Sequence, residues 1–209
     1  KDVSELPDVI DEAFKIANHR KKGSVHIDLP KCVISNQFSQ SENGQVRRIP
    51  DIQTTTYIDT DHLKKTIALI HCAKKPILYV GKGCLDVSDK LLQFVEQSNI
   101  PITTTLHAMG IIDETHPLSL KMCGMHGSVY SNYALQDSDC IIALGSRFDD
   151  RTTGNLDYYA PNAKNGGIIH VNIEPTEIGK VVDSTYNFAS DCGIFLDTIL
   201  VFNVFRNGF

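Results

Sequence analysis

The sequence predicts an α/β fold: a doubly wound, mostly parallel sheet flanked by helices. Two observations predict it. Five short apolar runs rich in β-branched residues recur between residues 59 and 200, and helical apolar spacing fills much of the chain between them. Glycines stand directly after two of these runs, at Gly81 and Gly145, where chain leaving a parallel strand must turn.

The elements follow in order. Leu6, Val9, Ile10, Ala13, Phe14 and Ala17 form the stripe of a helix over residues 4–20, with Ser4 as its N-cap and Pro7 in its first turn. Val25-His26-Ile27-Asp28-Leu29 alternates as a strand that Pro30 stops. Residues 34–58 are polar and aperiodic and read as a linker between domains. A helix after Asp59 runs to Ala73, followed by the strand Ile77-Leu78-Tyr79-Val80 and a helix over residues 86–97. Pro101 introduces a β-branched strand over residues 102–106, and residues 126–136 read as a helix after Gly124. Cys140-Ile141-Ile142-Ala143-Leu144 is a buried strand, residues 168–173 another, and residues 186–189 a fifth. Asp191 can cap a last helix. The domain organisation is therefore 1–33, a linker at 34–58, a main domain at 59–200, and an atypical tail at 201–209.

Composition excludes several functions. A net charge of −5 over 209 residues argues against generic nucleic-acid binding. The basic run His19-Arg20-Lys21-Lys22 suits a helix C-terminus. No apolar stretch is long enough to span a membrane, and no signal peptide is seen, although a start at Lys1 suggests a fragment. The six cysteines include no C-x-x-C pair, so reduced thiols of an intracellular protein are expected. The histidines lack metal spacing, so no metal site is expected.

The chemistry concentrates after the strand at 140–144. There Gly145-Ser146-Arg147-Phe148-Asp149-Asp150-Arg151-Thr152-Thr153-Gly154-Asn155 places two arginines and two aspartates within five residues. Arginine forks suit phosphate, and the aspartates can accept hydrogen bonds or hold the arginines. The plainer alternative is a solvated loop whose charges pair with each other. Gly81-Lys82-Gly83 offers a second phosphate turn but lacks the Rossmann glycine pattern, because Asp86 stands where the third glycine belongs. Asn172-Ile173-Glu174 ends a strand where acids often hold ribose hydroxyls, or else caps a helix before Pro175.

These segments resemble, in order and spacing, the central domain of the acetolactate synthase (acetohydroxyacid synthase) family. The family's Gly-Ala-Arg-Phe-Asp-Asp-Arg-Val-Thr-Gly-Asn run is matched except at Ser146 and Thr152. Gly23-Ser24-Val25-His26-Ile27-Asp28-Leu29-Pro30-Lys31 looks like the end of the family's pyrimidine-binding domain. Lys75-Pro76-Ile77-Leu78-Tyr79-Val80-Gly81-Lys82-Gly83, Thr103-Thr104-Thr105-Leu106, Gly124-Met125-His126-Gly127 and Pro175-Thr176-Glu177-Ile178-Gly179-Lys180 continue the likeness.

The resemblance implies FAD bound by Gly81, Lys82, Gly83, Asp86, Thr105, Leu106, Cys123, Gly124, Met125, His126, Gly145, Ser146, Arg147, Asp149, Arg151, Thr152, Asn172, Ile173, Glu174 and Asp191. Arg47 or Arg48 would add a contact from the linker. Met125, Asp150 and Arg151 would line a substrate channel. The implied reaction joins two 2-ketoacids with loss of carbon dioxide, in branched-chain amino-acid synthesis. Thiamine diphosphate and Mg2+ would be held by sequence outside these residues, so no catalytic or metal-binding residue is expected here. The family forms homodimers or tetramers, in some cases with a regulatory subunit. The Gly166-Gly167-Ile168-Ile169-His170 run looks like fungal members, which implies mitochondria. Two alternatives stay open: another thiamine-diphosphate carboligase or decarboxylase, and a non-catalytic nucleotide-binding module with the same sheet.

Overall fold

The computed structural model describes residues 2–19, 21–37 and 58–202. The chain divides into two compact units, residues 1–55 and 56–209, with the division inside the expected linker. Arg47, Arg48 and most of the expected tail lie outside the described residues.

In the first unit a 3-10 turn, Val3–Glu5, leads into helix α1, Leu6–Asn18. Ser4 is not the cap: α1 has Glu5 at its N-cap position with no side-chain capping bond, and the 3-10 turn before it is capped by Asp2. Its carboxylate accepts from the Ser4 amide at 3.0 Å, while Glu5 accepts from the Asp2 amide at 3.2 Å. This reciprocal arrangement satisfies two donors that Ser4 could not. Pro7 sits in the first turn as expected. The alternating run Val25–Leu29 is not a strand among the described residues. Alternation supplies a face, but a strand also needs a partner for its amides. A short helix α2 follows at Lys31–Ile34.

The second unit begins with helix α3, Thr60–Cys72, capped by Asp59, whose carboxylate accepts from the Asp61 amide at 2.9 Å. Strands β1 (Pro76–Val80), β2 (Ile102–Thr104), β3 (Ser119–Met122), β4 (Cys140–Leu144), β5 (Ile168–Asn172) and β6 (Tyr186–Ala189) form one sheet. All of its pairings are parallel, in the order β3-β2-β1-β4-β5-β6. Helices α4 (Ser88–Ser98), α5 (Val129–Asp137), α6 (Asp150–Thr153), α7 (Pro161–Gly166) and α8 (Cys192–Val201) provide the crossovers and cover.

The strands are apolar throughout because both faces are covered. One core joins Leu78, Val80, Ile142, Leu144 and Val171 to Leu63 and Ile70 of α3, Phe94 of α4 and Phe195 of α8. The opposite core joins Ile77, Tyr79, Ile141, Ala143 and Ile168 to Leu135 of α5 and Ala163 of α7. Adjacent strand residues thus point to opposite cores, as the pleat requires.

Several boundaries differ from expectation. The helix expected from Asp86 starts at Ser88, because Lys82–Val87 is a 3-10 segment. The strand expected to reach residue 106 ends at Thr104, and the one expected to include Ile173 ends at Asn172. The helix expected from His126 starts at Val129, where the Ser128 hydroxyl caps the Ser131 amide at 3.1 Å. Strand β3 was not expected. It is a half-buried edge with Lys121 at a φ of 61°, so it lacks the apolar signature of its neighbours.

Candidate functional site

The sheet order reverses between β1 and β4. Chain leaving β1 moves outward through β2 and β3, then returns to β4 and continues to the other edge. The chain therefore leaves the two central strands toward opposite edges, and the carboxyl rim at such an order reversal is the place where sheets of this kind receive ligands.

Three glycines build this point. The Gly81 amide donates to the Leu144 carbonyl at 2.8 Å, Gly83 to Gly145 at 3.1 Å, and Gly145 to Val171 at 2.9 Å. A Cβ on Gly81 would stand 2.4 Å from the Gly145 carbonyl oxygen, and one on Gly145 would stand 2.6 Å from the Gly83 Cα. Gly145 also has a φ of 59°, which disfavours any side chain. The two loops can meet backbone to backbone because all three positions lack side chains. Exposed Lys82 stands beside this seam.

The next residue clamps the loop to β5. The Ser146 carbonyl accepts from Asn172 Nδ2 at 2.8 Å and lies 3.0 Å from His170 Nε2. Asn172 Oδ1 also accepts the Glu174 amide at 3.0 Å. Phe148 is wholly buried despite a φ of 54°. Its ring centroid lies 5.1 Å from Tyr79, 5.1 Å from His170 and 6.2 Å from Tyr159. With Phe148 driven inward, Arg147 is left exposed and Asp149 half-exposed on either side.

Among the described residues neither Arg147 nor Arg151 forms an ion pair. The self-paired loop, and the aspartates as holders of the arginines, are therefore not what the fold adopts. Asp149 instead begins α6 and receives the Thr152 hydroxyl at 3.5 Å.

A second loop packs onto this one. The Met125 amide donates to the Arg151 carbonyl at 2.8 Å, and Arg151 Nη1 reaches Met125 Sδ at 3.8 Å. A Cβ on Gly124 would stand 2.9 Å from the Arg151 carbonyl oxygen, so the glycine permits this approach. Asn132 of α5 grips Gly124 at both ends, accepting from its amide at 2.8 Å and donating to its carbonyl at 2.9 Å. Met125 and His126 remain exposed, and Asp150 is exposed beside Arg151. Thr105 joins the rim by donating its amide to the Val80 carbonyl at 2.8 Å. Cys123 donates its amide to Thr104 at 3.0 Å, and burial pushes its thiol up to about 11.

The fold therefore brings together the glycine turn, the arginine loop, Thr105 and the Cys123–His126 segment. Other expected residues are engaged elsewhere. The Asp191 carboxylate caps α8 by accepting from Gly193 at 2.7 Å and Ile194 at 3.3 Å. Glu174 accepts from the Thr176 amide at 3.2 Å, the helix-capping alternative foreseen for it. Asp86 lies exposed within the 3-10 segment, and the Leu106 side chain is exposed. Ile173 follows β5, half-buried. Phe148, Asn132 and His170 were not anticipated. Their contacts bridge distant segments, and no local pattern announces them.

Two buried hydroxyls at the rim, Thr104 Oγ1 and Ser146 Oγ, have no hydrogen-bond partner. Among the described residues no cluster of His, Cys, Asp or Glu could hold a metal ion. No helix among them is long and apolar enough to cross a membrane.

Residues 63–199 match the model of the thiamine pyrophosphate enzyme central domain. The chain is 43% identical over 181 residues to the chloroplastic acetolactate synthase of Arabidopsis thaliana, covering 86% of this chain and 26% of that protein. It is 41% identical over 207 residues to the mitochondrial acetolactate synthase of Schizosaccharomyces pombe, covering 91% of this chain and 31% of that protein. A probable acetolactate synthase large subunit of Methanococcus aeolicus is 40% identical over 200 residues, 94% of this chain and 33% of the relative. The chain thus spans between a quarter and a third of the length of these relatives.

Proposed function

The chain belongs to the thiamine pyrophosphate enzyme central-domain family, and from that membership we propose that it is the FAD-binding central domain of an acetolactate synthase. The observation that carries the flavin reading is the order reversal of the sheet, where three side-chain-free positions meet and the loop after β4 carries two arginines that form no ion pair among the described residues. The three glycine amides are already bonded across the seam, so the arginine forks are the donors that would meet a diphosphate there. The rim from β3 to β5 spans four strand spacings, about 19 Å, which suits an extended dinucleotide better than a single nucleotide. The unpartnered hydroxyls of Thr104 and Ser146 add polar capacity along it.

Arg147 would neutralise the diphosphate. Arg151, with Met125 and Asp150 at its side, would face the channel through which a 2-ketoacid reaches the reacting centre. Thiamine diphosphate, when bound, supplies the electron sink for decarboxylating the first 2-ketoacid. The residues here fit a flavin and do not fit that second cofactor's metal. The metal site, and the acid that works on the thiamine ring, would come from other sequence of the polypeptide or from a partner subunit.

Assembly as a homodimer or tetramer, with a regulatory subunit in some settings, belongs to the same reading. So does a mitochondrial location, which the Gly166–His170 run and the mitochondrial fission-yeast relative support.

The test uses two assays. The polypeptide that carries this sequence should bind FAD in a fluorescence titration and convert pyruvate to acetolactate, read as acetoin. The 209-residue chain alone, given thiamine diphosphate, Mg2+, FAD and pyruvate, should make none above background. Turnover by the 209-residue chain, abolished by Asp150→Ala, would overturn the assignment.

A further inference from the structure

The Ser146 carbonyl accepts from Asn172 Nδ2 and faces His170 Nε2, at 2.8 and 3.0 Å. A carbonyl has two lone pairs, and both are taken here. Because that oxygen can only accept, the imidazole carries its proton on Nε2. Nδ1 is left buried with no partner. The peptide plane joining Ser146 to Arg147 is thereby fixed at its oxygen. Two residues on, Phe148 is locked among three rings, one of which is His170 itself. Arg147 is thus held between two anchored points of the chain, and these fix the direction in which its side chain leaves the backbone.

We propose that His170, with Asn172, is a positioning residue that presents Arg147 to the diphosphate of the bound cofactor through the Ser146 carbonyl. The proposal rests on the flavin reading above. In this role His170 acts through the Ser146 carbonyl and not on the ligand itself. Its contribution is preorganisation: the loop holds its binding geometry before the ligand arrives, so less ordering is paid on binding.

Glutamine and asparagine separate this role from packing. Glutamine carries an amide nitrogen near the place of His170 Nε2, whereas the shorter asparagine does not reach it. The experiment measures FAD dissociation constants by fluorescence titration, with thermal midpoints, in the polypeptide that carries this sequence. H170F and H170N are expected to weaken FAD by about tenfold, and H170Q to restore affinity to within about threefold. N172L should fall with H170F, because it removes the other donor to the same oxygen.

Wild-type affinity in H170F, or equal loss in H170Q and H170N, would overturn the proposal. If H170F does not fold, the comparison of H170Q with H170N decides. Arg147→Ala distinguishes the two readings. Should Arg147→Ala bind FAD normally, the flavin assignment of the loop fails. Should it bind weakly while the His170 and Asn172 variants bind normally, the clamp alone fails.

Discussion

The two rims of the sheet both carry charged residues and use them in opposite ways. At the amino rim, Lys75 pairs with Asp137 at 2.5 Å. The Asp139 carboxylate accepts the amides of Lys74 and Lys75, each at 2.8 Å. A shallow cavity of about 460 Å³ opens there, lined by Lys74, Lys75, Asp137, Asp139, Asn162, Asn165 and Gly166. At the carboxyl rim, among the described residues, Arg147 and Arg151 form no ion pair and two buried hydroxyls lack partners. On the proposed reading, the difference teaches that unspent bonding capacity marks a ligand site better than empty volume does. Charges that already pair with one another, even where exposure makes the pair add little to stability, have less to offer a guest.

Glycine replacements at the two rims give the largest separation. Gly145→Ala forces a side chain into a φ of 59° and against the Gly83 backbone. It should cost about 3 kcal/mol of stability and abolish FAD binding together. Gly166→Ala at the amino rim meets the Asp139 carbonyl at 2.1 Å, so it too should destabilise. Where Gly166→Ala still folds, it should retain FAD. Thermal melts paired with flavin titration check this, and flavin loss in a folded Gly166→Ala would break the contrast between rims.

Charge removal sharpens the comparison. Arg147→Ala should weaken FAD by about 1.5–3 kcal/mol, the range for hydrogen bonds to charged groups. Lys75→Ala removes an equal charge from the amino rim, where both partners are 62% exposed, and should leave FAD affinity unchanged. Equal effects from the two substitutions, measured at one ionic strength, would mean that overall charge rather than the loop attracts the ligand.

A third, smaller effect concerns acid. Burial lowers the proton affinity of His170 below its ordinary value of 6.5, while the Ser146 carbonyl and Glu177 oppose the shift. Glu177 is itself 3.7 Å from Lys180. Because the folded value is the lower one, the unfolded chain takes up the proton first as pH falls. His170 should therefore cost nothing well above pH 6.5, and should reduce stability as pH falls from there through its folded value. Thermal midpoints between neutral and mildly acidic pH should decline less in His170→Gln than in wild type. Parallel declines would remove His170 as the acid-sensitive group.

The same contrast explains what was legible in the sequence. Strands β1, β4 and β5 were readable because burial on both faces makes them continuously apolar, and the glycines after β1 and β4 marked the rim. Edge strand β3 was not, since Ser119 and Lys121 interrupt it and it borrows its regularity from β2. Alternation in Val25–Leu29 misled because nothing local reveals whether a partner exists. Helices α6 and α7 are too short to show a period. Within the site, residue types and order were legible. The inward Phe148, the Asn132 grip on Gly124 and the His170–Ser146 contact were not, because each joins a side chain to chain that only the fold brings near. The capping roles of Glu174 and Asp191 were visible as the plainer alternative or as a helix start, and both are realised.

Of the two arginines in the loop, Arg151 has the smaller expected effect on flavin, and it divides the carboxyl rim itself. Arg151 lies four residues beyond Arg147, exposed on α6, with its carbonyl holding Met125 and its guanidinium beside the Met125 sulfur. That contact turns it toward the second loop rather than toward the glycine seam. Arg151→Ala leaves the backbone bond to Met125 in place, so the rim should keep its shape and FAD affinity should change by less than about threefold. What is lost is a cation at the proposed channel mouth, where a 2-ketoacid carboxylate must pass. Steady-state kinetics should show a raised KM for pyruvate with kcat less affected, the pattern of lost ground-state binding. A loss of FAD matching that of Arg147→Ala, with KM unchanged, would merge the two arginines into one flavin site and remove the channel from this face of the sheet.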